Sequence, residues 1–495
     1  MRSSTPSPTC LASSTAACDG SCTKPNRTAG SSAAQSVMVG SRKRGGLETA
    51  VTVLLWVCLC ALAWCLKGGR RIRAESHLCA SPPTQGRTTP VPGHAGQVLF
   101  RSMTEPADRA ERGALGHLRI ADFSRVLAGP LATMVLGDLG ADIVKVEQPG
   151  TGDDTRTWGP PWWESNGATT STYYLGLNRN KRSLALDLRD EADLAVARRL
   201  CLGADVVVDN FRVGTMARFG LDRDSLAAER PDLITCSITG FGSTGEGADL
   251  AGYDFLVQAM SGLMAVTGEV DGEPMKVGSA IVDKLTGLYA AIAILAAVEE
   301  RRQTGLGQHV EVSLMGSALA GLLNVGSVHV TTGQDPGRHG NRHPSIVPYQ
   351  PYRAADGQVA IAAASPALWQ RLCDVLDRPD LVADDRFVDN AARLVNSDAL
   401  EAEIESSLAD GTVADWIDRL RTAGIPVGQI NSVSEAFAAA EALGLDPVWV
   451  LGDREDAFRS VRSPIGMSAT PPTVRRRPPT NDEHGDELRR EIAGG

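Results

Sequence analysis

Between about residue 115 and residue 320 this chain predicts an α/β fold built on a parallel sheet. Two observations carry that expectation. Short strands alternate with helical stretches, and at least one strand, Asp205-Val-Val-Val208, is a continuous apolar run rather than an in/out alternation. A strand covered by helices on both faces reads that way, because neither side meets water.

The elements follow in order. Leu118 to Phe123 reads as a strand, Ala128-Gly129-Pro130 opens an apolar helix to about Leu139, and Asp142 to Val146 returns as a second strand, a βαβ unit. Pro130 suits the first helical position and Gly129 permits close backbone approach, so this helix start is shaped to accept an anion. Ser183 to Asp187 (strand), Asp190 to Leu202 (helix) and Asp205 to Val208 (strand) form the next unit. Leu233 to Ile238 runs as a strand into a glycine loop. From Asp283 to about Glu300 a helix is apolar on every face and is expected to be buried. Gly305 to Gly307 ends it, and His309 to Leu314 is a further strand. Residues 337 to 348 form a Gly, His, Arg and Pro loop, a candidate crossing. Beyond it, Gly357 to Ala364 and the helical stretches Trp369 to Leu376 and Asp398 to Ala409 predict a smaller α+β domain over 340–435. Pro471 to Pro479 reads as an extended tail.

Charge divides the chain. Residues 1–102 hold 12 Lys+Arg against 3 Asp+Glu, whereas 103–495 hold 37 against 56. An acidic body argues against a nucleic-acid partner, which needs a basic surface. Seven of the ten cysteines lie in the head, leaving Cys201, Cys236 and Cys373 in the body. Three scattered cysteines with no CxxC spacing predict a reduced, cytoplasmic compartment and no zinc site. The head also carries an uncharged apolar run, Thr49 to Leu66, with basic residues on both sides. Three readings stay open there: a translation start placed too early, with Met103 the working start; a membrane anchor or targeting segment at the short end of spanning length; or another role.

Several motifs bear on chemistry. Gly240-Phe-Gly242-Ser-Thr-Gly245 matches GxGxxG, but Glu246 to Asp249 follow instead of an apolar helix, so a loop beside a site is the better reading. No GxxxxGK[ST], HExxH or GxSxG occurs. His339 and His343 have no evident third partner, which leaves metal: none. Trp158-Gly-Pro-Pro-Trp162-Trp163 is a rigid aromatic loop that either covers a ligand or packs on the surface. Arg179, Lys181 and Arg218 are each ordinary solvated cations when taken singly; converging on one cleft they would suit a polyanion. Asp283 sits where the long apolar helix begins. As an N-cap it would do what Asp commonly does there. As a nucleophile it would be kept ionised by the helix dipole and would attack an acyl carbon.

Taken in order, Val126-Leu-Ala-Gly-Pro130, Gly140-Ala-Asp-Ile-Val-Lys-Val-Glu147, Asn178-Arg-Asn-Lys-Arg-Ser183, Asp205-Val-Val-Val-Asp-Asn-Phe211, Ser237-Ile-Thr-Gly-Phe-Gly242, Ala251-Gly-Tyr-Asp254 and the Asp283 segment resemble the class III CoA-transferases. This resemblance spans roughly 118 to 490 and favours the nucleophile reading of Asp283. It implies a Rossmann-like large domain formed by residues 115–320 and 440–490, a small domain between them, and an interlocked homodimer. It also implies an aspartyl mixed anhydride and an aspartyl-CoA thioester on Asp283, no tightly bound cofactor, and a CoA thioester as substrate. Val126, Ala128, Lys181, Asn210, Phe211 and Arg218 are the implied CoA-site residues. The loop Gly340 to Tyr349 departs from formyl-CoA transferase, which points away from oxalate and toward members that pass CoA from succinyl-CoA to a dicarboxylate such as glutarate. Arg342 or Arg179 is then the expected partner of the remote carboxylate, with Tyr253 and His343 nearby.

Two alternatives accompany this reading. Racemases of the same family carry His where this chain has Tyr253, and a tyrosine with its usual pKa near 10 is a poor base at neutral pH. A membrane-tethered CoA-binding protein without activity is the second.

Overall fold

The computed structural model describes residues 113–494, apart from 166–167 and 454–456. The apolar run 49–66 and Met103 lie outside the described residues. Six strands form one sheet: β1 (Arg119–Asp122), β2 (Asp142–Glu147), β3 (Lys181–Ala185), β4 (Val206–Asp209), β5 (Ile234–Thr239) and β6 (His309–Ser313). Their order is β3-β2-β1-β4-β5-β6 and every pairing is parallel. That is the doubly wound dinucleotide-fold order, whose reversal between β1 and β4 opens a crevice at the carboxyl ends of the strands.

Alternate residues of β1, β2 and β4 serve opposite cores, which explains the continuous apolar run of β4. Ile120, Ile143, Val206 and Val208 face one side, with helices α1 (Ala128–Asp138) and α4 (Ile281–Thr304). Ala121, Val144, Val207 and Leu184 face the other, with helix α2 (Glu191–Gly203). Helix α2 is capped by Asp190, whose side chain accepts from the backbone N–H of Ala192 and Asp193. The chain end returns to this second core, where Leu488 and Ile492 of helix α8 (Gly485–Gly494) are buried.

Helix α4 is not buried on every face. Val282, Ala290, Ala291, Ile294 and Ala297 enter the core, but Leu288, Tyr289 and Ile292 are exposed. One stripe of the helix satisfies the sheet and α1, and among the described residues the opposite stripe is left exposed.

A separate core gathers around a three-stranded antiparallel sheet of β7 (Tyr349–Ala354), β8 (Gly357–Ala362) and β9 (Val427–Gln429). Its helices include α5 (Pro366–Val375), α6 (Ser397–Leu408) and α7 (Val413–Thr422), which bury Trp369, Ile404 and Trp416. The stretch Pro471 to Pro479 has no regular structure, yet it is anchored. The Asn180 side chain donates to the Thr473 carbonyl and accepts from the N–H groups of Arg475 and Arg476.

Candidate active site

A cavity of about 590 Å³ opens at the reversal of strand order. Its walls are the loop after β1, the loop after β4, the glycine loop after β5 and the first turn of α4. Val126, Ala128, Asn210, Phe211, Arg218, Tyr253 and Asp283 all line it. Residues that are 157 positions apart in sequence, Val126 and Asp283, therefore line one cavity. Two glycine contacts make this possible. A Cβ on Gly287 would lie 2.6 Å from the Ala128 carbonyl, so only glycine lets α4 approach the start of α1. A Cβ on Gly240 would lie 2.6 Å from the Gly252 Cα, so the glycine loop folds back on the Gly252-Tyr253 segment.

Asp283 is not the cap of its helix. The N-cap position is Ala280, without a side-chain cap, and the job passes to Asp254 at the start of helix α3 (Asp254–Met260). Asp254 Oδ1 accepts from the N–H of Val282 at 2.8 Å and of Asp283 at 3.2 Å, while Gln258 Nε2 donates to Asp254 Oδ2 at 2.6 Å. No hydrogen bond among the described residues ends on the Asp283 carboxylate. Burial raises its pKa to about 7, and the neighbouring Asp254 charge adds to the rise. The expectation that the helix dipole keeps Asp283 low is thus overturned. The first amides of α4 are already paired with Asp254, whose charge opposes a second anion.

Tyr173, which the residue-by-residue reading did not single out, feels both carboxylates. Burial, with Asp283 and Asp254 after it, pushes its phenol up to about 12, and its ring meets Trp158 edge-on at 5.3 Å. The Trp158 loop is thereby tied to a residue in the electrostatic field of the site.

The loop after β1 is held from several sides. Asn210 clamps the Arg125 peptide, its Oδ1 accepting from Arg125 N at 2.9 Å and its Nδ2 donating to Arg125 O at 2.7 Å. The Arg125 guanidinium lies 6.0 Å from the Phe211 ring centre. Arg125 and Arg212 both line the cavity and were missed in the sequence; the available signal was their place beside Val126 and Phe211. A smaller recess of about 240 Å³ adjoins, sharing Arg125, Asp154 and Phe211 and adding Leu186, Leu188 and Arg189.

Four expected residues lie elsewhere. Lys181 is fully buried, 3.1 Å from Asp122 Oδ2, and donates to the Pro130 carbonyl at 2.9 Å. Burial lowers its pKa to about 8 against the opposing pull of Asp122. Its ammonium braces the start of α1 from below and is not on the cavity wall. Arg179 is buried as well, forked onto Asp138 at 2.9 and 2.6 Å. Arg342 is paired with Asp398 at 2.6 Å and with Glu401, both on α6. Neither arginine has its fork free for a substrate carboxylate, because each already faces acidic partners distant in sequence. His343 closes a local turn, accepting from Ser345 N at 3.0 Å, and its ring lies 5.2 Å from that of Tyr349.

Known proteins give this geometry its context. The family described as CoA-transferase family III matches residues 115–485. A succinate–glutarate CoA-transferase from Agrobacterium fabrum is 41% identical over 394 residues, covering 79% of this chain and 98% of that protein. An acetyl-CoA:oxalate CoA-transferase from Acetobacter aceti is 38% identical, covering 79% and 99%. The crystal structure of a CaiB/BaiF family protein from Brucella suis is 40% identical with a TM-score of 0.71, covering 77% of this chain and all of that one. The chain belongs to CoA-transferase family III and is a CoA-transferase.

Proposed function

We propose that this enzyme moves CoA from succinyl-CoA to a dicarboxylate acceptor, glutarate being favoured, with Asp283 as the acyl carrier. The observation that carries the reading is the placement of Asp283: a carboxylate without a hydrogen-bond partner among the described residues, in the wall of a cavity that three arginines also line. The relatives named above act on glutarate and oxalate, both dicarboxylic acids, by their names.

In this proposal the Asp283 carboxylate attacks the thioester carbonyl and expels CoA thiolate, leaving a mixed anhydride. The thiolate attacks the aspartyl carbonyl, releases succinate and forms aspartyl-CoA. The acceptor carboxylate then attacks that thioester, giving a second anhydride and thiolate again. Attack of the thiolate on the acceptor's acyl carbon yields the new acyl-CoA and restores Asp283. Each bond made is balanced by one broken, so neither ATP nor a metal is required.

Phe211 and the Arg125 above it form a stacking pair for adenine, and Arg125, Arg212 and Arg218 supply the charge for the phosphates. Val126 and Ala128 offer backbone to the pantetheine arm, which leads the sulfur toward Asp283. The exposed apolar stripe of α4, Leu288, Tyr289 and Ile292, supports association with a second copy. The three described cysteines are free and buried, which supports a cytoplasmic setting.

The test is acyl-CoA product analysis by mass spectrometry after incubating the protein with succinyl-CoA and a panel of mono- and dicarboxylates. New dicarboxyl-CoA species are the expected result. New products with monocarboxylates alone would overturn the acceptor class. No exchange, together with α-proton exchange on a branched acyl-CoA, would establish the racemase instead.

A further inference from the structure

We propose that the buried Lys145–Asp153 pair is a positioning device for acyl-CoA, holding Ser124 to Val126 in the conformation that presents Arg125 and Val126 to the cavity. The proposal rests on the reading of that cavity as the CoA site.

Val126 has φ +70°, and among the described non-glycine residues with positive φ it alone is β-branched. Such a residue is crowded in that region and stays there only when its surroundings hold it. Those surroundings are specific. Asp153 Oδ1 accepts from Val126 N at 3.3 Å. Lys145 Nζ donates to Asp153 Oδ2 and to the Ser124 carbonyl, both at 2.9 Å. Asp122 Oδ1 accepts from Ser124 N at 3.0 Å, and Asn210 holds both polar groups of the Arg125 peptide. Five successive backbone groups, from Ser124 N to Val126 N, are therefore paired with side chains instead of with a neighbouring strand.

Lys145 and Asp153 side chains are wholly inaccessible to solvent. Burial alone would raise the Asp153 carboxyl, yet the Lys145 charge and the hydrogen bonds from Lys145 and Thr155 hold it at about 2. An ionised pair of this kind is costly to bury and is not needed to fill the core. What it does here is fix two peptides on either side of Arg125. Neither residue touches the substrate directly, so the expected signature is weaker acyl-CoA binding with the chemical step preserved.

Asp153→Asn retains an oxygen but loses the charge that orients it against Lys145. It is expected to raise KM for succinyl-CoA about tenfold, with kcat at saturation within about twofold and the acceptor KM unmoved. The decisive comparison is Val126→Gly, since glycine adopts positive φ without strain. In the Val126→Gly background, Asp153→Asn is expected to change the succinyl-CoA KM by less than about threefold, the non-additivity that coupled residues show. Equal cost in both backgrounds, or kcat and both KM values falling together, would overturn the proposal. Asp153→Glu gives the same comparison should Asp153→Asn not fold, with circular dichroism melting as the control. Arg125→Ala separates the two ideas. If it leaves the acyl-CoA KM unchanged, the cavity reading fails and takes the proposal with it; if it raises KM while the Asp153 cost stays additive, the positioning role alone fails.

Discussion

Asp283→Ala is expected to abolish CoA exchange, by at least about 10³-fold in kcat, because covalent catalysis has no bypass once its nucleophile is gone. The other carboxylates lining the cavity, Asp154 and Asp249, come from different loops, and Asp254 already accepts from the α4 amides and from Gln258. Loss of activity should not be loss of fold. The Asp283 carboxyl titrates near 7 in the folded chain against an ordinary value of 3.8. Between those values the native state holds more protons than the unfolded chain, so stability falls as pH rises from about 4 to about 7. Asp283→Asn removes that penalty. At pH 8 it should be more stable by ~2 kcal/mol, a figure discounted from the full shift, in urea denaturation. An inactive and stabilised variant separates a functional carboxylate from a structural one. An Asp283→Asn protein that is destabilised, or that retains exchange, contradicts the assignment.

The second large effect is on pH. Only the ionised carboxylate attacks a thioester, so kcat/KM should rise about tenfold per unit below pH 7 and level off above it. Between pH 5 and pH 8 the rise is roughly 100-fold. Asp254 faces Asp283 from α3 and Tyr173 faces it from the Trp158 side; Arg125, Arg212, Arg218, Asp154, Asp249 and Tyr253 also line the cavity. Tyr173, pushed up to about 12, stays neutral throughout this window. Asp254→Asn keeps an oxygen for the amides of Val282 and Asp283 but removes the repelling charge. Its acid limb should therefore move to lower pH in steady-state kinetics. A limb that stays in place in this variant would show that Asp254 does not set the Asp283 pKa.

Much of the fold was legible because its rules are local. The β1-α1-β2 unit, the helix opening at Asp190 and the unbroken apolar strand ending at Val208 follow from residues close together in sequence, and the structure has all three. The cavity wall around Val126, Asn210, Phe211 and Asp283 could be named only through an ordered set of motifs, since nothing local brings positions 126 and 283 together. The cations were the misleading feature. Lys181, Arg179 and Arg342 are charged residues in loop-like or strand-edge contexts, yet each is claimed by a carboxylate 41 to 59 positions away. For Lys181 and Arg179 that pairing makes a core brace, for the part-exposed Arg342 a surface ion pair, and no window of sequence reveals either. Arg125 and Arg212, which do reach the cavity, looked no different. Asp283 misled in the opposite sense. Its helix start was read correctly, but the residue that takes the helix amides, Asp254, belongs to another helix.

If Asp283 carries the acyl group and then CoA, the enzyme passes through a state with CoA bound covalently to that residue. The most direct measurement is peptide mass spectrometry of the protein quenched in acid after brief incubation with succinyl-CoA and no acceptor. A CoA thioester is expected on the peptide that contains Asp283, gone in Asp283→Asn and discharged when a dicarboxylate is added. Active exchange with no adduct on that peptide, or an adduct on another residue that turns over with acceptor, would contradict it.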